Sequence, residues 1–482
     1  MTTFTIIYIV RYNRFFTLHW CLFIWHISCD RRCENVCLTS KSTIMKLFRQ
    51  TLLIAAAASV IATSAVAQTT NDGEKYSPSV YTPASGGDHK HHHDKVHKRA
   101  MQDFAETERA GHRELSNPQF IFTSPDNRFS LAVGGFVNLR TSYDFSGAVD
   151  NIDFVPYDIP MSKNYASDQR IMMDASTSRL YLKAVINSNA LGRVVVFSDM
   201  DFRGGDEFSY LPRLRSAYVS FKGLTIGRDV TTFCDLDAAP RTIDFQGPNA
   251  YNFAFNEMIR YEYSTRGFSF GIAAERPVVN ATYGENFSSI MQRVPDGIAY
   301  LQYQFGRERV SHLRLSGVIR DMYLHDNLSG ENTTKVGWGL QLSGHLAITR
   351  WVDVYMNGVY GKGITPYIQD LTGSPYDFTY NPENPTQLQT PSMWGWQAAA
   401  QINIMPKRMW VAAGYSEVGL DKSDGYISDK QYKRGSYLFA NAFYKFSPNL
   451  TFALEYLHGT RRNVSDDLSS ANRLSIMAQY NF

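Results

Sequence analysis

The last ten residues, Arg473-Leu-Ser-Ile-Met-Ala-Gln-Tyr-Asn-Phe482, constrain the fold most. Leu474, Ile476, Ala478, Tyr480 and Phe482 share one parity. Ser475, Gln479 and Asn481 take the other, and only Met477 breaks the pattern. A period of two is a strand with one apolar and one polar face. This strand stops on an aromatic residue at the end of the chain. In water it would be an exposed apolar edge that invites aggregation. In a membrane it can close a barrel, apolar face to lipid and every backbone group paired.

The same alternation recurs from Arg128 onward. Candidate strands centre on 129–143, 178–187, 193–202, 213–221, 224–228, 257–264, 267–275, 297–305, 309–321, 335–347, 351–361, 393–404, 408–416, 435–446, 450–460 and 473–482. That is about sixteen, an even number, as bacterial single-chain barrels require. Connections alternate in length. Those over 144–177, 229–256, 276–296 and 362–392 are long; those at 188–192, 222–223, 265–266, 306–308 and 405–407 are short. A barrel inserted from one side has short periplasmic turns and longer outer loops, whereas a soluble sandwich has no reason to gather its long loops at one end.

Parity then assigns faces. Leu180, Leu182, Val194, Val196, Ile259, Tyr261, Leu313, Leu315 and Ile319 face lipid. Arg140, Arg179, Lys183, Arg213, Arg215, Arg260, Arg314 and Arg320 face the lumen, with Asp199, Asp201, Glu262 and Glu455. An Arg facing hydrocarbon at mid-depth costs about 2–4 kcal/mol, which enforces the choice. Cations outnumber acids two to one in this inner set, so the wall is expected to favour anions. The bland alternative is that these arginines pair with loop acids and hold the loops. Arg228 shares a parity with Leu224 and Ile226 and receives no assignment. The connection after the fifth strand carries Asp235, Asp237 and Asp244 beside Arg241, with Phe233 and Phe245 as possible anchors. Folded inward, it would set acids against the basic wall at a narrow point; folded outward, it would be a plain surface loop.

The N-terminal region bounds the compartment. Met45-Lys-Leu-Phe-Arg49, an apolar stretch from Leu52 to Val60 and Ala65-Val-Ala67 read as a secretory signal too short to anchor in a membrane. Residues 1–44 hold four of the five cysteines, yet are expected to be a spurious upstream extension from a start codon placed too early. Beyond residue 67 the chain carries 41 basic and 43 acidic residues and one cysteine, Cys234. That balance gives no basis for nucleic-acid binding, and no internal disulfide is possible. Aromatic residues make up 14% of the chain, with 29 Tyr and 30 Phe, enough for belts at both membrane interfaces. Residues 68–125 read as a periplasmic N-terminal leader, partly disordered, with a charged stretch over 94–115 that can form a short helix. The run His89-Lys-His-His-His-Asp-Lys-Val-His97 reads as a solvated spacer more readily than as a metal site.

Two resemblances add to this. The ending resembles the C-terminal assembly signal of bacterial outer-membrane proteins, which puts Tyr480 and Phe482 in contact with the barrel-assembly machinery. Arg213-Leu-Arg-Ser-Ala-Tyr-Val219, Leu224-Thr-Ile-Gly-Arg-Asp-Val-Thr-Thr-Phe-Cys-Asp235 and Ile243-Asp-Phe-Gln-Gly-Pro248 resemble the core signature of the DcaP-like porins. Val133-Gly-Gly-Phe-Val137 is similar to that family's first strand. The resemblance implies a homotrimeric sixteen-stranded outer-membrane channel whose third outer loop narrows a pore for small, often anionic solutes. The leader lacks the long heptad segment of some members, and Arg228 and Cys234 depart from the loop motif.

The expectation is therefore an all-β, transmembrane antiparallel β-barrel in the bacterial outer membrane. It comprises an extension at 1–44, a signal peptide at 45–67, a leader at 68–125 and a porin domain at 126–482 in which 229–256 is the candidate constriction loop. It would pass small hydrophilic, mainly anionic solutes by diffusion, without catalysis, cofactor or metal, in contact with outer-membrane lipid and lipopolysaccharide. The alternatives are a channel specific for sugars or phosphate, a plugged structural or adhesive barrel, and an outer-membrane hydrolase. The last needs a nucleophile beside a base, and His312, His325, His345 and His458 are scattered and outside any G-x-S-x-G setting.

Overall fold

The computed structural model describes residues 79–81, 98–104, 107, 120–162, 168–306, 310–381, 383–421 and 428–482. The expected extension, the signal peptide and the histidine run lie outside them. Sixteen antiparallel strands form the wall: β1 (Phe129–Ser146), β2 (Arg170–Asp174 and Arg179–Ser188), β3 (Gly192–Gly204), β4 (Leu211–Phe221), β5 (Leu224–Val230), β6 (Phe255–Ser264), β7 (Phe268–Glu275) and β8 (Asp296–Phe305). They continue as β9 (Ser311–Asp326), β10 (Glu331–Thr349), β11 (Val352–Lys362), β12 (Ser392–Met405), β13 (Met409–Leu420), β14 (Tyr432–Lys445), β15 (Leu450–Asn463) and β16 (Leu468–Asn481). Each pairs with its neighbours in sequence, and β16 returns to β1 with Ile476 opposite Thr141 and Tyr480 opposite Val137. The barrel is closed, so no wall strand is left with an open edge inside the membrane.

The seam is tied at the chain end. Gly135 N–H donates to Phe482 O at 2.9 Å, and Phe482 N–H donates to Gly135 O at 3.0 Å. A Cβ on Gly135 would lie 2.2 Å from Arg179 O and 3.1 Å from Phe482 Cζ, so only glycine allows this approach. Below the seam, Phe120–Thr123 takes up the free edge of β1 at Ser130–Val133, and Ser79–Tyr81 adds to it in parallel.

Short turns join β2 to β3, β4 to β5 and β6 to β7. In the two-residue turn between β4 and β5, Lys222 and Gly223 have φ of 49° and 83°. Left-handed backbone at both positions matches the twist of the flanking strands. The outer connections differ from expectation in two places. The gap between the expected strands at 309–321 and 335–347 is a strand pair that runs on to a turn at 327–330, and the gap between those at 450–460 and 473–482 shrinks to 464–467. Backbone pairing continues past the hydrocarbon there, while side chains such as Glu331-Asn-Thr-Thr-Lys335 carry no apolar alternation to reveal it.

The faces follow parity. Leu182 (44% exposed), Ile259 (57%), Leu315 (53%) and Ile319 (62%) point outward. Beside the short turns the outer surface carries Tyr263, Phe268, Tyr303, Trp351 and Tyr480, placed as an interfacial girdle. Among the described residues no helix is long and apolar enough to cross a membrane. Inside, three outer loops fold into the lumen. Phe154 and Ile159 from 147–162 pack on Phe439 and Leu457 of the wall. Phe233 and Ala250 from 231–254 pack with Ile364, Tyr367, Ile368 and Leu371 from 363–391, against Val318, Val359 and Val418 of the wall.

Candidate functional site: the lumen and its arginine wall

Arg140, Arg179, Lys183, Arg213, Arg215, Arg260, Arg314 and Arg320 all lie on the inner face, as do Asp199, Asp201, Glu262 and Glu455. A β-bulge sharpens this in β4. Asp199 pairs with Ser216, Met200 with Leu214 and Asp201 with Arg213, so Arg215 is the extra residue. Arg213, Arg215 and Ser216 can then all turn inward, and Val219, which shares the parity of Arg213, faces lipid instead.

Buried guanidiniums need partners, because an unpaired charge away from water is costly. Asp201 accepts from Arg213 Nε (2.9 Å) and Nη2 (2.6 Å) and from Arg215 Nη1 (2.8 Å). Asp199 lies 3.6 Å from Arg179 and 3.5 Å from Arg215. Arg140 meets Asp153 at 3.2 Å and Asp174 at 3.1 Å. Arg260 meets Asp229 at 2.7 Å and Glu262 at 3.1 Å, and Tyr300 donates to Glu262 at 2.9 Å. Arg320 is held by Asp296 (3.0 Å) and Asp377 (2.9 Å). Arg314 donates to Thr232 O and lies 3.7 Å over the Tyr300 ring. Lys183 donates to Thr107 O at 3.4 Å.

The two-to-one excess of inner cations over acids does not survive this placement. Reading strand centres alone missed Asp144, Asp174, Asp229 and Asp296 near strand ends, and Asp153 and Asp377 in loops. It also missed cations, among them Arg170, Arg203, Arg461 and Arg473. A carboxylate at the end of a strand has no alternating neighbour beyond it, so parity gives it no face. Arg228 points outward beside Ile226 and is neutralised by Glu257 at 2.7 Å, which Arg276 also meets.

The loop at 231–254 crosses the lumen and is pinned at both ends of its course. Asp235 Oδ2 meets His312 Nε2 at 2.9 Å and accepts from Ser343 Oγ at 2.6 Å. Burial pushes the Asp235 carboxyl up, but His312, Arg314 and Ser343 outweigh it and hold it at about 2. Farther on, Ile243 and Asp244 N–H donate to the two oxygens of Glu455 at 3.0 and 2.8 Å. Asp244 accepts from Tyr437 Oη at 3.0 Å and from Phe154 N–H at 3.0 Å. Burial and the nearby Asp153 charge push its carboxyl above the usual range. Asp235 and Asp244 therefore serve as anchors. They do not present acids to the pore, as the sequence had suggested. Asp237 is half-buried, and Arg241 is exposed with its guanidinium 5.5 Å from the Trp410 ring. Phe233 is fully buried, whereas Phe245 sits beneath Arg203, Arg213 and Arg215 at 4.4, 5.9 and 5.3 Å.

Water reaches the inner wall unevenly. Side chains of Arg213 and Arg179 keep 37% and 20% exposure, and Glu262 keeps 21%. On the far side Gln341 (1%), Asn357 (4%) and Gln397 (3%) are covered by the loops. His312 and Ser343 both bond the Asp235 carboxylate, while His345 meets Asp353 at 3.0 Å. His325 is matched with Asn332, and His458 with Asn472.

A closed barrel of sixteen strands with an inward outer loop is a channel architecture, and residues 123–482 match the model of the DcaP outer membrane protein family. The chain belongs to this family. It is a porin of the bacterial outer membrane, and the resemblance read from the β4–β5 motif is thereby established. Among solved structures, the outer membrane channel DcaP of Acinetobacter baumannii superposes with a TM-score of 0.64 at 19% identity, covering 73% of this chain and 97% of that one. The anion-selective porin from Comamonas acidovorans gives 0.47 at 12% identity over 73% and 100%. OmpT of Vibrio cholerae gives 0.47 at 12% over 74% and 98%. A search among curated proteins gives no match.

Proposed function

We propose that this porin is a passive diffusion channel for small hydrophilic solutes that favours anions, with 229–256 as its constriction. One observation carries the charge preference. Four guanidiniums (Arg179, Arg203, Arg213, Arg215) gather around the ring of Phe245 with Asp153, Asp199 and Asp201, and those of Arg213 and Arg179 keep the most water. These two exposed positive ends lie beside the proposed path, and in a low-dielectric wall they concentrate anions. A channel narrowed further to sugars or to phosphate is a stricter form of the same proposal, seen as current block by that solute.

The apolar packing of 147–162 and 363–391 inside the lumen supports a second reading, a plugged structural barrel. Planar-bilayer recording in a salt gradient separates the two. Steps of current with an anion-sign reversal potential support the proposal. A cation-sign potential overturns the arginine-wall argument, and an intact barrel that never conducts favours the plug. Homotrimeric assembly, contact with lipopolysaccharide and recognition of Tyr480 and Phe482 by the assembly machinery belong to the same proposal. Deleting Phe482 removes the paired bonds to Gly135 and should lower the amount of folded barrel in the membrane. Normal yield would count against an assembly role.

A further inference from the structure

A helix over residues 98–104 sits inside the periplasmic end of the barrel. Its apolar side is short and fully used. Ala100 (0% exposed) and Phe104 (6%), four residues apart on one helix face, pack on Ile121 and on the inward side chains Ala132 of β1 and Val185 of β2. Lys98 and Arg99, off that face, are exposed.

The decisive residue is Asp103, 7% exposed. Its carboxylate accepts from Asn127 Nδ2 at 3.0 Å, Asn187 Nδ2 at 3.0 Å and Arg193 Nη2 at 2.8 Å. These donors come from three separate places: the approach to β1, the end of β2 and the start of β3. All lie beside short turns, which fixes them at the periplasmic rim. Lys183 adds a cation 5.8 Å from the Phe104 ring. Three donors converging on one carboxylate, one of them charged, make a built receptor for this helix and not a chance contact. Pulling the helix away would take one shared acceptor from Arg193, Asn127 and Asn187.

We infer that 98–104 is a collar docked in the periplasmic mouth, and that Asp103 is a selectivity-determining residue of the channel. The helix, about 10 Å across with its side chains, takes up cross-section beside β1–β3. Asp103 cancels the charge of Arg193 at the exit, so the mouth attracts anions less than its own wall would. The basic wall deeper in then dominates the preference. This inference rests on the passive-channel reading, and its test reports each separately.

Bilayer recording of four variants of the full barrel decides it. Asp103→Asn keeps the shape and an acceptor oxygen but removes one negative charge from the mouth, so the reversal potential should shift toward anions. Arg193→Gln should shift it toward cations, and the double variant should return to the parent value. Deleting 98–104 should raise single-channel conductance. An unshifted Asp103→Asn potential, or unchanged conductance in the deletion, overturns the collar while leaving a conducting parent as a porin. A parent that is silent while the deletion conducts supports the collar as a plug. Silence in both overturns the collar and the channel reading together.

Discussion

The two sides of the lumen solve the same problem differently. On the β2–β4 wall, charged side chains meet each other and water: Asp199 and Asp201 hold three guanidiniums, and Arg213 keeps more than a third of its surface exposed. On the β9–β15 wall, inward polar groups are sealed by loops. Asn357 donates to Ala250 O and to Asn252, both at 2.9 Å, and Gln397 donates to Ala238 O at 3.3 Å. Buried polar groups must find partners, and here the loops supply them. The loops are therefore fastened mainly to one side, with Asp153 and Phe245 reaching the arginines of the other, and the proposed path follows the wetter wall. Charge persists where water can still share it.

The largest expected effect follows from breaking the charged side. Asp201→Ala leaves Arg215, only 5% exposed in its side chain, with half its support. Removing one partner of a buried pair costs about 3–5 kcal/mol, to be read as a fall in the thermal unfolding midpoint. A change no larger than that of an exposed charge would show that the β2–β4 wall is wetter than described.

The pH response sharpens the comparison. In the 363–391 loop, Asp370 accepts from Tyr432 Oη (2.6 Å), Tyr157 N–H (3.0 Å) and Asn249 Nδ2 (3.3 Å). Burial nonetheless pushes its carboxyl up to about 6. An acid raised in the docked state binds its proton more readily there, so docking strengthens as pH falls from above 6 toward 4, by about 3 kcal/mol. Asp235, held at about 2, has the opposite sign: its contribution is full above pH 4 and is lost only as pH falls toward 2. Between pH 6 and 4.5, hydrogen exchange should slow around 363–381 and stay constant around 231–237. Equal slowing in both segments would contradict the separate anchors.

The smallest effect belongs to Arg213→Gln. A half-exposed ion pair contributes about 0–1 kcal/mol, so stability should barely move. The reversal potential should shift toward cations by more than it does for Arg260→Gln, which lies deep among Asp229 and Glu262. Equal shifts would mean that exposure along the wall does not set selectivity.

Much of this was legible in the sequence. The alternation of Leu180-Tyr-Leu-Lys183 gave both faces of β2, and the change from long to short connections gave the sidedness. Less legible were features that break a period or lie outside one. The bulge at Arg215 adds a residue without changing composition. Asp174 and Asp296 sit at strand ends, where parity is undefined. Ile364 and Tyr367 are apolar residues in a loop, and only the folded lumen shows that they form a core with Phe233. The inner arginines follow the parity of their strands, but their neutralisation depends on loop acids more than a hundred residues away in some pairs, as between Arg140 and Asp244 at 3.8 Å.

Cysteine accessibility tests the central claim, that the open path follows the β2–β4 wall. A single cysteine is placed at Arg213 or at Gln341 and exposed to a sulfonated methanethiosulfonate during bilayer recording; native Cys234 is buried and bonded to Tyr251, so it stays silent. The account predicts a stepwise loss of current for Arg213→Cys and none for Gln341→Cys. Reaction at Gln341→Cys with Arg213→Cys unaffected would place the pore on the opposite side of the barrel and contradict it.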